Sequence, residues 1–70
     1  RLKCIGDPLY GLEYSHSQDE FMFIDKQTGK ETLYHKQILN FKPPQAFFVA
    51  ETTPNHFAYA LALQLNVTFP

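Results

Sequence analysis

The sequence predicts a mainly β domain: a small antiparallel sheet, barrel-like or sandwich-like, that ends in a long C-terminal strand. Three observations carry this. Short apolar runs alternate with polar clusters rich in Gly, Pro, Asp and Ser, the punctuation of strands and turns. The runs are rich in Phe, Tyr, Leu, Ile and Val, side chains that pack well on a pleated surface. From Phe57 to Phe69 every odd position is large and apolar (Phe57, Tyr59, Leu61, Leu63, Leu65, Val67, Phe69), while the even ones are Ala58, Ala60, Ala62, Gln64, Asn66 and Thr68. A period of two is that of a strand.

Taken in order, Leu2-Lys3-Cys4-Ile5 reads as a strand that stops at Gly6-Asp7-Pro8, where Pro fixes φ and Asp bonds the local backbone. Leu9 to Tyr14 suits a half-buried strand, and the six polar residues Ser15 to Glu20 break it. Phe21 to Ile24 is the next apolar run. Asp25 to Lys30 then turns the chain, with Gly29 free to take positive φ, and Glu31 to Tyr34 returns as the second arm of a hairpin. The return strand continues irregularly through Phe41 until Pro43-Pro44 forbids regular pairing, which makes the double proline the best internal boundary. Ala46 to Ala50 reads as a buried strand and Glu51 to His56 as a connection.

The last segment has a competing reading. Thr53 followed by Pro54 is a helix-start signal, and the Ala, Leu and Gln content favours a helix, so an α+β domain with a C-terminal helix is the alternative. As a strand, residues 57–69 would span ~43 Å at ~3.3 Å each and outrun a small sheet. With no Asp, Glu, Lys or Arg after Glu51, the segment expects to be covered, either as the central strand of the domain's own sheet or by a subunit or parent-protein contact.

Composition bounds the rest. Seventy residues make a single small domain, 1–70, which hides only about 60% of the surface of its unfolded chain. Cys4 is the only cysteine, so no internal disulfide forms, and His16, His35 and His56 lie too far apart for a usual zinc spacing. No cofactor or metal is implied. An apolar content of 44% is enough for a packed core, and a formal charge of −1 argues against a strong, sequence-independent hold on nucleic acid or anionic membrane. No apolar run approaches the ~18 residues of a membrane helix, so the domain is expected to be soluble. A chain starting at Arg1 is what a processed product or an excised piece would show, and a lone thiol points weakly to a reducing, intracellular compartment.

The chemistry-bearing residues read as surface or core. Asp19, Glu20 and Asp25 flank one apolar run, with Glu20 and Asp25 on opposite faces of a strand, and read as solvated turn charges. Cys4 beside Lys3 lacks an oriented base and reads as a small buried hydrophobe. Thr28-Gly29-Lys30 lacks the earlier glycine and the following hydroxyl of a phosphate loop. Asn66-Val67-Thr68 fits a glycosylation acceptor, which matters only in a secreted chain.

Pro43-Pro44 through Phe48-Val49, Thr53-Pro54-Asn55-His56 and Tyr59-Ala60-Leu61 together resemble a segment of plasmid replication proteins with primase-like domains, over about a quarter of the chain. That resemblance implies Asp25 and His56 as the matching site positions. The family's paired aspartates reduce here to Asp25 alone in Phe23-Ile24-Asp25-Lys26, which puts metal binding in doubt.

The expectation for function is a non-enzymatic module that works through protein contacts, as a homo-oligomer or as part of a larger protein, with Ala58, Ala60, Ala62 and Gln64 as its interface face. The rival is a nucleic-acid-binding fragment of a replication-type protein that uses Lys26, Lys30, Tyr34, Lys36 and Lys42, where Tyr34-His35-Lys36 gathers a donor, an imidazole and a cation.

Overall fold

The run Gln45–Ala50, whose last four residues are buried on both faces, occupies the centre of the sheet. The computed structural model describes residues 1–68. In chain order its elements are β1 (Leu2–Ile5), β2 (Glu13–Tyr14), β3 (Glu20–Ile24), β4 (Glu31–Leu39), β5 (Gln45–Ala50) and α1 (Asn55–Thr68). The strands form one sheet in the order β2-β1-β5-β4-β3. The domain is mainly β, as the sequence predicts: a curled half-barrel with one C-terminal helix.

Two local expectations give way. The sheet is mixed and not wholly antiparallel, because β5 enters beside β1 in the same direction, pairing Cys4 with Phe48 and Ile5 with Val49. The three strands β2, β3 and β4 that intervene in the chain supply the long connection that a parallel pair requires. The second correction is the long C-terminal strand, which is α1. Ala58 and Ala62 are small enough to bring a helix close to the sheet, Leu65 seats beside them, and Ala is a weak strand former but the best helix former. The chain turns out of β5 where Thr53 N–H donates to Ala50 C=O (2.9 Å), and Phe57 N–H donates to Pro54 C=O (2.9 Å) to open the helix. Thr53-Pro54 therefore marks the helix start that its sequence signals.

Smaller differences follow from pairing. β4 runs unbroken for nine residues because β5 pairs with it from Tyr34↔Ala50 to Leu39↔Gln45. The strand expected over Leu9 to Tyr14 keeps only Glu13–Tyr14, since Leu12 N–H donates to Leu9 C=O (3.0 Å) and folds the first half into a turn.

Registers divide the side chains between two faces, because residues opposite each other point the same way. On the concave face lie Cys4, Phe21, Tyr34, Phe48 and Ala50, closed over by Leu9. On the convex face Ile5, Phe47 and Val49 receive Ala58, Ala62 and Leu65 of α1. Both cores share β5, so one strand supports both layers of packing.

Candidate interaction surface

α1 carries no Asp, Glu, Lys or Arg, and neither its first turn nor its last has a charge matched to the helix dipole. Packing must hold it. Its inward residues are fully buried on the convex face, Ala58 and Ala62 at 0% exposure and Leu65 at 1%. Edge contacts fix its rotation. The ring of Tyr59 stacks on Phe41 with centroids 4.6 Å apart, Tyr10 Oη donates to Leu61 C=O (3.2 Å), and Asn66 Nδ2 donates to Gln45 Oε1 (3.2 Å).

The opposite side of the same helix is also apolar. Phe57 (53%), Leu63 (47%) and Val67 (76%) stand exposed, with Ala60 exposed among them. An ordinary surface helix turns a polar face outward; a helix apolar all round is one that is covered on both sides. Beside its first turns runs a shallow groove of about 400 Å³, lined by Gly6, Asp7, Thr53, Pro54, Phe57 and Leu61, which continues this apolar surface toward β1.

The four interface residues expected on one strand face are divided by the helix. Ala58 and Ala62 are in the core, whereas Ala60 and Gln64 are exposed. A step of two residues turns a helix by ~200°, so even positions do not share a side. The four residues therefore do not form one face, and the exposed line on α1 runs instead through Ala60, Leu63 and Val67, which a helical period applied to the same segment finds.

The proposed nucleic-acid contacts are not gathered either. Lys26 and Lys30 lie at the β3–β4 turn, Lys36 midway along β4 and Lys42 beyond its far end. Tyr34 leaves the set: it is 0% exposed, its hydroxyl accepts the Leu9 N–H (2.9 Å) and donates to Gly6 C=O (2.8 Å). Strand alternation separates Tyr34 and Lys36 from His35, whose ring bonds the Gln37 amide (2.9 Å) on the other face. Asp25 Oδ1 accepts the Gln27 N–H (2.8 Å), and the His56 ring rests against Phe57 at 4.4 Å, so the two positions implied by the resemblance have separate local partners.

At the open end of the half-barrel a small cleft of about 200 Å³ has Tyr14, His16, Lys36 and Phe48 in its walls. Cys4, on the concave face, is buried, and burial pushes its thiol up to about 11, which leaves it protonated and unreactive at neutral pH. Among the described residues no three of His, Cys, Asp and Glu come together in a way that holds a metal ion, and no helix is long and apolar enough to cross a membrane. No family model matches the chain, and neither a curated protein nor a solved structure matches it.

Proposed function

We propose that the domain is a non-enzymatic protein-association module whose recognition element is the outward side of α1. The observation that carries this reading is the helix itself, which has no Asp, Glu, Lys or Arg and exposes Ala60, Leu63 and Val67, beside His56 and Gln64, on the side that the sheet does not cover. Scattered exposed apolar residues are ordinary, but Ala60, Leu63 and Val67 follow one another along one line of the helix, with Phe57 and the groove at its side. Burying a Leu side chain stabilises by about 1.5–3 kcal/mol, so covering this line on association repays part of the cost of joining two molecules.

Site-specific photo-crosslinking in the source cell tests it. With Leu63→benzoylphenylalanine, discrete adducts are expected, and with Met22→benzoylphenylalanine, at an equally exposed apolar position on β3, none. Absence of any adduct from position 63, or the same adducts from both positions, would overturn the reading.

A further inference from the structure

We infer that the end of the half-barrel beside the β3–β4 turn binds a free α-amino acid with a large apolar side chain. The site is separate from the association reading, which concerns the outward side of α1.

The groups that build it come from three places in the chain. Asp7 belongs to the loop after β1, Asp25 and Lys30 begin and end the β3–β4 turn, and Thr32 is the second residue of β4; all four line one small cavity of about 90 Å³. Their backbones are pinned. Tyr34 Oη bonds Gly6 C=O and Leu9 N–H on either side of Asp7. In the turn, Asp25 N–H donates to Lys30 C=O (2.9 Å), Gly29 N–H donates to Asp25 C=O (2.7 Å), and Asp25 Oδ1 accepts the Gln27 N–H (2.8 Å). A ligand meets segments that are already in position, which lowers the entropy lost on binding.

Charge is the second step. Two carboxylates and one ammonium border a single small cavity, yet among the described residues Lys30 forms no ion pair with Asp7 or Asp25. The cavity keeps opposite charges apart. Thr32 adds a neutral acceptor, for it is 5% exposed and its hydroxyl bonds to no other described residue. Because no sealed-off side-chain oxygen among the described residues lacks a partner, this one opens onto the cavity that Thr32 lines. A buried hydroxyl is ordinarily bonded within the protein, and one turned into a cavity is available to a ligand.

Chemistry names the ligand. A primary ammonium has three N–H donors, and Asp7, Asp25 and Thr32 supply an acceptor for each. Lys30 then pairs with a carboxylate on the same molecule. A simple amine leaves Lys30 opposing its charge, an anion alone meets two carboxylates, and a calcium ion, which takes roughly six to eight oxygens, has a lysine beside it and too few ligands. A zwitterion satisfies both signs. The groove of about 400 Å³ beside α1 shares Asp7 and Lys30 with this cavity and runs on to Phe57 and Leu61, which give the amino acid's side chain an apolar wall.

The test follows the backbone amide resonances of the isotope-labelled chain as L-phenylalanine is added to about 20 mM near neutral pH. Saturable shifts are expected at Asp7, Lys30, Thr32 and Phe57, with a dissociation constant of about 1 mM, in keeping with so small a ligand. Phenethylamine, which lacks the carboxylate, and phenylpropanoate, which lacks the ammonium, each bind about ten-fold or more weakly. Lys30→Met brings L-phenylalanine down to the affinity of phenethylamine. Asp25→Asn, which keeps the acceptor for the Gln27 N–H and so keeps the turn, weakens binding about five-fold. Absence of saturable shifts, equal affinity for either half of the molecule, or a Lys30→Met chain that binds as the parent chain does overturns the inference. Calcium chloride that produces the same shifts at lower concentration also overturns it, and makes this a cation site. None of these results touches the association reading, which crosslinks from position 63 test on another side of the helix.

Discussion

The ring of Tyr14 lies on the ring of Phe21 with centroids 4.1 Å apart and planes within 18°, although Tyr14 is on β2 and Phe21 on β3, the two outermost strands of the sheet. Their contact holds the curl where backbone pairing between the edges is absent. Phe21 also stacks on Tyr34 at 5.1 Å and meets the edge of Phe48 at 4.9 Å, so the stack anchors both edges to the buried floor. A double-mutant cycle of Tyr14→Ala and Phe21→Ala is expected to show a coupling of about 0.5–1.5 kcal/mol in urea unfolding. Additive losses would mean that the edges are held by something else.

Tyr34→Phe isolates a second tie. The hydroxyl links the centre of β4 to the start and the middle of the loop after β1, accepting from Leu9 N–H and donating to Gly6 C=O. Its removal keeps the ring in place and leaves these two backbone groups without that partner, at a cost of about 1–3 kcal/mol read from the unfolding midpoint. An unchanged midpoint would show that water replaces the hydroxyl.

Which of these features the sequence discloses depends on how local their causes are. Gly29 is legible as a positive-φ turn residue and takes φ 74°, and Ala46 to Ala50 is legible as a buried strand. Thr53-Pro54 announces α1 from its own chemistry. The segment after it misleads, because large residues at every odd position satisfy a strand and, on a helix, spread apolar residues over more than one side. What decides between them is whether Ala58, Ala62 and Leu65 find a surface, and that surface comes from Ile5, Phe47 and Val49, far away in the chain. Tyr34 is illegible for the same reason: its partners are set by the loop after β1. In the candidate site the lack of charge after Glu51 is readable directly, whereas the side it concerns depends on the period.

Alkaline pH should weaken the domain through the concave core. Burial raises the Cys4 thiol from 9.0 to about 11, and Tyr34 is raised as well, chiefly by burial against a smaller opposing effect of the Leu9 N–H. The unfolded chain gives up the Cys4 proton first, so it binds fewer protons than the folded chain between pH 9 and 11. The stabilising contribution is complete below pH 9 and is lost as pH rises to 11, on the order of 2 kcal/mol. Urea midpoints at pH 8 and pH 10.5 should fall accordingly in the parent chain and less in Cys4→Ala. Equal slopes for both chains would refute the assignment to the thiol.

Gly6 and Gly29 both have positive φ, yet only one is enclosed. A Cβ on Gly6 would run into Thr53 Oγ1 and approach Ala50 Cβ to 2.8 Å, while one on Gly29 meets nothing within 4 Å. Gly29→Asn should therefore cost less than about 1 kcal/mol, because Asn tolerates the left-handed region. Gly6→Asn is expected to cost at least about 2 kcal/mol more, since strain and overlap with the start of α1 add together. Similar thermal midpoints for the two variants would exclude the close approach of β1 to the β5–α1 turn.

Charges placed along α1 discriminate between the two periods directly. On a strand, Ala58, Ala60, Ala62 and Gln64 share a side and respond alike; on the helix they divide into pairs. Ala58→Asp and Ala62→Asp put a carboxylate among Ile5, Phe47, Val49 and Leu65, where an unpaired charge has no hydrogen-bonding partner. A loss of more than about 3 kcal/mol, enough to unfold a domain of this size, is expected for each. Ala60→Asp and Gln64→Asp add a charge that water reaches, and should move the midpoint by no more than about 0.5 kcal/mol. Four equal responses would return the segment to a strand, whereas two severe and two mild ones, in the order 58, 62 against 60, 64, fix both the helix and the side that the sheet leaves exposed.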